Sequence, residues 1–336
     1  MNNVEKITDI PEIYRIRIPL QSNALKNLNV YVMKSEGHAL IIDTGFRTKE
    51  CEKALLEGLS NLNVNIGTAS LFLTHTHTDH IGLAELFAGD GNTIYMGKKE
   101  YDYYSYVNGG NYWIRQNRCY CKDGYPEAKL EAMFSANFNR FPGPRTLVKP
   151  DVLLKDEEEF YFGNIRCLPI LVSGHTPGHM CLYLPDEKIL FLGDHVLFDI
   201  TPNIMAWPFM HDSLGRYLNS LCRIGRLDVR TALPAHRDQN GVSLEQRVYE
   251  IKRHHLLRLE EIMGILKGAG EKGLTPYEIA SKMEWSFHGK SFDTVSEQQR
   301  WFAMGEARAH LFYLLERNRV IVTEREGQNV YMQGKQ

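Results

Sequence analysis

ASLFLTHTHTDHIG, Ala69 to Gly82, is the stretch on which the reading of this chain turns. An apolar strand pattern runs straight into three histidines and an aspartate: His75, His77, Asp79 and His80. Neutral imidazole and carboxylate suit a borderline divalent metal such as zinc, iron or manganese. In an extended loop, side chains two residues apart point to the same side, so His75 and His77 can share one ion. Asp79 and His80 fall on the turn into a helix and can face a second ion. Without metal the crowding is costly, because the imidazoles must stay neutral or repel one another.

One loop cannot fill two coordination spheres. The remaining candidates each follow an apolar strand: His175 in LPILVSGHTPGH, Asp194 in ILFLGDH and His236 in TALPAH. Side chains at strand ends along one edge of a layered α/β domain can converge on a site. Around them the chain keeps a strand, turn, helix, strand rhythm. Strands are expected at Tyr14–Ile18, Leu28–Val32, Ala39–Ile42, Ala69–Leu73 and Thr93–Met96, and later at Val152–Leu154, Ile165–Leu171, Cys181–Leu184, Ile189–Leu192 and Thr231–Leu233. Helices are expected at Thr48–Leu59, Ile81–Phe87, Glu127–Phe138 and Leu214–Leu221. This rhythm implies an α/β layered domain.

Two stretches break the pattern. Residues 100–145 are rich in aromatics (Tyr101, Tyr103, Tyr104, Tyr106, Tyr112, Trp113, Tyr120) and end in FPGPR, and are read as an insertion over the site. From Leu244 the chain reads helix, helix, helix and then a hairpin-like VIVTEREGQNVYM. The expected division is a catalytic domain over 1–245 and a winged-helix-like domain over 246–336.

Composition excludes several classes. The 336 residues are 43% hydrophobic and 24% charged, which fits a globular protein and not a disordered or collagen-like one. With 39 Lys and Arg against 41 Asp and Glu, net charge is -2, and no basic field attracts nucleic acid or lipid. No apolar run reaches the ~20 residues that span a bilayer. The N-terminus does not look like a secretory signal. Six cysteines without paired spacing read as reduced thiols, so a cytoplasmic location is expected.

The intact HxHxDH together with GHTPGH, GDH and PAH resembles the metallo-β-lactamase-fold hydrolase superfamily. The C-terminal segment and GDHVLFDITPNI are similar to the subfamily called β-lactamase-like protein 2. The resemblance implies an αβ/βα sandwich of two mixed sheets flanked by helices. It also implies two divalent ions, zinc first, with iron or manganese as alternatives. His75, His77 and His175 would hold one ion, Asp79, His80 and His236 the other, and Asp194 would bridge both. Asp43 and His179 would support the ligands from behind. A hydroxide between two such ions is available near neutral pH, and Asp79 is expected to orient it.

The first function expected is hydrolysis of an ester-like bond (thioester, lactone or amide) in a small organic substrate. GHTPGH beside HxHxDH also looks like glyoxalase II, a thioester hydrolase. The second is single-stranded RNA or phosphodiester cleavage. Charge disfavours it, since 13 Lys and Arg stand against 12 Asp and Glu from residue 250 onward. A mononuclear-iron persulfide dioxygenase is a minor third reading. Tyr103, Tyr104 and Tyr112 are candidate proton donors. The helical C-terminal segment is a candidate homodimer contact, with Trp285, Trp301 and Phe302 divided between interface and core.

Overall fold

A computed structural model of the chain describes residues 3–21, 25–110, 112–137, 148–287 and 289–334. Two compact units are present. One comprises Met1–Tyr106, Asn139–Pro202 and Ser220–Val248; the other comprises Val107–Phe138, Asn203–Asn219 and Tyr249–Gln336. Segments of the two units alternate along the chain.

The first unit is built on two mixed sheets. The larger runs β1 (Val4–Thr8), β2 (Glu12–Pro19), β3 (Asn27–Ser35), β4 (His38–Ile42), β5 (Ser70–Leu73), β6 (Ile94–Gly97) and β7 (Val152–Leu154) in that spatial order. Neighbours are antiparallel up to β4 and parallel from β4 to β7. The smaller sheet has β8 (Phe160–Phe162), β9 (Ile165–Leu171), β10 (Met180–Leu184), β11 (Ile189–Gly193) and β12 (Thr231–Pro234), ordered β12-β11-β10-β9-β8. Only the β11–β12 pair in it is parallel.

Strand alternation divides the core in two. Leu28, Val30 and Val32 of β3 join Ile16 and Ile18 of β2 against Cys51, Leu55 and Leu59 of α1 (Lys49–Asn61). Tyr31 and Met33, on the opposite face of β3, meet Leu182, Leu184 and Phe191 of the smaller sheet. The Tyr31 and Phe191 rings sit edge to face at 5.5 Å. Each such side chain contributes about 1.5–3 kcal/mol on burial. Thr48 caps α1 by accepting from the Cys51 N–H at 3.3 Å. On the smaller sheet, the last turn of α6 (Ser213–Ile224) is tied to β9 by Arg223, which donates to the Leu171 carbonyl at 3.1 Å. The result is the expected sandwich of two mixed sheets with helices packed against them.

The second unit contains α4 (Tyr112–Lys122), α5 (Glu127–Asn137), most of α7 (Leu244–Ala269), α8 (Pro276–Lys282), α9 (Glu297–Glu316) and the hairpin β13 (Val320–Arg325) and β14 (Gln328–Gln333). Capping boxes start α8 (Thr275 with Glu278) and α9 (Ser296 with Gln299). Tyr120 stacks on Trp301 at 5.3 Å, and Arg308 donates to buried Asp123 at 2.6 Å. Trp301 is thus core, while Phe302 stays 39% exposed and Trp285 lies under the Arg258 guanidinium at 4.1 Å.

Local structure departs from the expected pattern, or adds to it, at three places. The tyrosine-rich stretch is helical, as α3 (Lys98–Asn108) and α4, because its aromatics pack along helix faces. Ile81–Phe87 is not one helix: α2 (Thr78–Ile81) stops at Gly82 and a 3-10 turn follows at Ala84–Phe87. The edge strands β1 and β8, too short or polar to read, complete the sheets. The FPGPR segment lies outside the described residues. Among the described residues, no helix is long and apolar enough to cross a membrane.

Candidate metal centre

Five strand ends supply the site: β4 leads to Asp43, β5 to the loop His75–His80, β9 to His175, β11 to Asp194 and β12 to His236. After β5 the loop stays extended, so His75 and His77 face one way and Thr76 the other. Thr76 donates through N–H (2.9 Å) and hydroxyl (2.8 Å) to Oε1 of Glu100. The chain then turns into α2, which presents Asp79 and His80. Gly82 follows because a Cβ there would stand 2.5 Å from the Arg47 nitrogen and the Gly45 carbonyl.

All seven side chains expected from the sequence meet in two groups. His75, His77, His175 and Asp194 form one, and Asp79, His80 and His236 the other, with candidate ligand atoms within 4.8 Å of each other in each group. In the first, His77 Nδ1 lies 2.9 Å from His75 Nε2 and 3.1 Å from His175 Nε2. Asp194 Oδ2 stands 3.6 Å from His175 Nε2 and 3.9 Å from His75 Nε2. In the second, His236 Nε2 is 3.3 Å from Asp79 Oδ2, and His80 Nε2 is 3.7 Å from it. Asp194 Oδ1 faces this second group, at 3.2 Å from His236 Nε2 and 3.4 Å from His80 Nε2. One carboxylate therefore offers an oxygen to each group.

These residues fit divalent cations. Four donors held tetrahedrally at ~2.0–2.1 Å from zinc are roughly 3.3 Å apart, within the range of spacings seen here. His80 Nε2, His236 Nε2 and Asp194 Oδ1 are buried and lie close together, yet none has a hydrogen-bond partner. Their separations are ion-pair distances without hydrogen-bond geometry. The orientation matters more than the distance, because the atoms converge on a common space instead of bonding to one another. A buried unpaired polar atom costs about 1–3 kcal/mol, so three converging ones mark a cation site.

Partners behind the ring orient the ligands. Asp43, at φ 62°, accepts from Thr74 N–H (2.9 Å), the Thr74 hydroxyl (2.8 Å) and His80 Nδ1 (2.7 Å). The Thr74 hydroxyl gives its proton to Asp43, so it accepts from His75 Nδ1 at 3.0 Å. His236 Nδ1 donates to the Asn27 carbonyl at 2.8 Å. Protons on these Nδ1 atoms leave the Nε2 lone pairs aimed inward. His179, in GHTPGH, stacks on His75 with ring centres 4.8 Å apart and accepts from Asp194 N–H at 3.1 Å.

Sequence reasoning missed Glu100. It is fully buried, and its Oε2 accepts from the Thr176 hydroxyl (2.9 Å) and Gly178 N–H (2.8 Å) while Oε1 takes Thr76. It thereby joins the His75–His80 loop to the His175 loop. Burial raises its carboxyl pKa, and the bonds from Thr76, Thr176 and Gly178 oppose that rise. Gly178 lets the backbones touch, since a Cβ there would sit 2.1 Å from Glu100 N. Tyr104, by contrast, joins the first unit's core.

The electrostatics of the two groups differ. Burial, reinforced by His175, pushes His77 down to about 3, and burial with His80 holds His75 well below its ordinary value. Burial is the largest influence on His80 and His236 and would lower both, but the carboxylates together outweigh it: Asp194, Asp43 and Asp79 keep His80 well above its ordinary value, and Asp194 with Asp79 holds His236 at about 10. Asp79 and Asp194 would be raised by burial. His80 and His236 reverse this and hold both below the usual carboxylate range. The first group thus keeps neutral nitrogen lone pairs, and the second holds protons that a cation would displace.

Residues 25–236, more than half of the chain, match the family model described as "Metallo-beta-lactamase superfamily". The Bacillus subtilis (strain 168) protein "Probable metallo-hydrolase YqjP" is 25% identical over 336 residues, covering 95% of this chain and 97% of that one. "Atrochrysone carboxyl ACP thioesterase AacuM" of Aspergillus aculeatus is 25% identical over 244 residues, 70% of this chain and 60% of that one. The crystal structure of a metallo-beta-lactamase family protein from Thermus thermophilus superposes with a TM-score of 0.77 at 26% identity, covering 96% of this chain and 98% of that one. With the two sheets, the seven converging side chains and this match, the chain belongs to the metallo-beta-lactamase superfamily and is one of its enzymes.

Proposed function

We propose that this hydrolase cleaves an ester-like bond of a small organic substrate, a thioester before a lactone or amide, using two divalent cations. The observation that carries the reading is Asp194, with one oxygen turned to each group. His75, His77 and His175 would hold the first cation, Asp79, His80 and His236 would hold the second, and Asp194 would serve both. When bound, the cations supply Lewis acidity and lower the pKa of water from 15.7 towards about 7. Asp43 and the Asn27 carbonyl keep His80 and His236 in the ligating tautomer. The Asp79 carboxylate accepts a hydrogen bond from the attacking water and orients it.

Nitrogen-rich donor groups favour zinc, with iron and manganese as the alternatives to assay. The thioester preference draws support from the relative named a thioesterase. The order α7, α8, α9, then the β13–β14 hairpin supports a winged-helix domain over 246–336 and membership of the β-lactamase-like protein 2 subfamily. Six cysteines, none of them in a disulfide, support a cytoplasmic setting.

The test strips the purified protein of metal and restores zinc, manganese or iron singly. Each form is assayed on a thioester, a lactone, a phosphodiester and a short RNA. Thioester hydrolysis should vanish on stripping and return with zinc. Turnover by fully demetallated protein sinks the metal-dependent reading, and cleavage of RNA alone sinks the substrate class.

A further inference from the structure

The face of α7 that its own unit leaves uncovered is patterned for one partner. Tyr249, Arg253, Leu256, Leu257, Glu260 and Gly264 recur at three- and four-residue spacing and so share a stripe of the helix. All six are exposed, with Tyr249 at 61%, Leu256 at 52% and Leu257 at 53%. The opposite face, carrying Ile251, His255, Leu259, Ile262 and Leu266, is buried. Adjacent exposed leucines under a tyrosine form an apolar strip that isolated surface residues do not explain.

The order of residues along the stripe identifies the occupant. A two-fold axis crossing α7 between Leu256 and Leu257 lays an antiparallel copy of the helix on it. Arg253 lies as far before that axis as Glu260 lies after it. Tyr249 lies as far before it as Gly264 lies after it. Each Arg253 therefore meets the other copy's Glu260, each Tyr249 meets the other copy's Gly264, and the leucines of both copies gather at the axis.

Two observations make this more than an accident of spacing. Neither the Arg253 nor the Glu260 side chain makes a hydrogen bond or ion pair with any described residue. They cannot pair within the helix, where seven residues separate them by about 10.5 Å. Gly264 sits inside a helix, where glycine costs about 1 kcal/mol relative to alanine. Nothing lies within 4 Å of the Cβ it lacks. No described neighbour needs that space, but a tyrosine ring laid on the helix does. We infer that this stripe of α7 is a self-complementary, isologous contact that pairs two copies of the chain.

The inference is independent of the proposed reaction and is tested on the full-length protein by sedimentation velocity across a concentration series. Wild type should be a reversible dimer with a Kd of about micromolar order. Arg253→Glu places Glu opposite Glu in both contacts and should weaken the dimer at least about tenfold at low salt; Glu260→Arg should do the same. The double variant R253E/E260R re-forms both pairs with the signs exchanged and should return the Kd close to wild type. Circular dichroism should be unchanged throughout, since the substituted residues are exposed. A wild-type protein that stays monomeric overturns the inference. So does a dimer that ignores both single reversals, or a double variant no tighter than the weaker single one.

Discussion

Replacing Glu100 with alanine should loosen the first metal group without touching a ligand. Its two oxygens accept four hydrogen bonds, two from Thr76 and one each from Thr176 and Gly178. The threonine hydroxyls can turn to other acceptors. The N–H groups of Thr76 and Gly178 cannot, and each left unpaired costs about 1–3 kcal/mol, so Glu100→Ala should lose about 2–6 kcal/mol of stability. Glu100→Gln keeps one acceptor oxygen. Its NH2 can donate to a reversed Thr176 hydroxyl but faces the Gly178 N–H without pairing, a loss of about 1–3 kcal/mol. Because Glu100 holds the loops bearing His75, His77 and His175, affinity for the first cation should fall roughly 10–100-fold. Asp43 still anchors His80 and the Asn27 carbonyl still anchors His236, so affinity for the second cation should fall less. Competition against a chromogenic chelator gives the two affinities, and urea unfolding of the metal-free protein gives the stability. An alanine variant that binds both cations as tightly as wild type and loses under about 1 kcal/mol refutes the argument.

Asp194→Ala removes the oxygen offered to each group and should lower bound metal below one ion per chain; elemental analysis that still finds two rules out the sharing. Gly82→Ala drives a methyl to within 2.5 Å of the Arg47 nitrogen and should cost at least about 3 kcal/mol, read as a fall in urea midpoint; an unchanged midpoint would mean the two backbones can part freely. In the second unit, burial and then His310, at 3.1 Å, hold the His255 imidazole well below its ordinary value. The folded pKa is depressed, so this stabilisation is complete above the unfolded value near 6.5 and is lost as the pH falls below it. The urea midpoint of the second unit should therefore drop between about pH 7.5 and 5.5, and a flat profile contradicts the assignment.

The site was legible because each ligand sits immediately beyond an apolar strand, and strand polarity brings such ends together. His175, Asp194 and His236 could be found this way although each is unremarkable alone. Glu100 gave no such signal: in KKEYDYY it reads as one more exposed charge, and its burial depends on two loops folding over it. Composition hid α3, since Tyr101, Tyr103, Tyr104 and Tyr106 fit no single period, and α4 was hidden because its buried stripe, Tyr112, Gln116 and Tyr120, runs through a polar residue. The edge strands β1 and β8 are short, and β1, VEKIT, carries too few apolar residues to stand out. The make-up of the second unit rests on distant pairs such as Asp123 with Arg308 and Tyr125 with Glu297, which no local pattern announces.

That last feature limits how this protein can be recombined. Its second unit is gathered from three separate pieces of chain, with a ring at Tyr120 stacked on Trp301 and a carboxylate at Asp123 bonded to both Arg308 and Asn329. A transplant of the tail alone, cut after Val248, would leave the donor with a buried anion stripped of its cation and the recipient with an unmatched arginine. Any working chimera has to exchange all three pieces together.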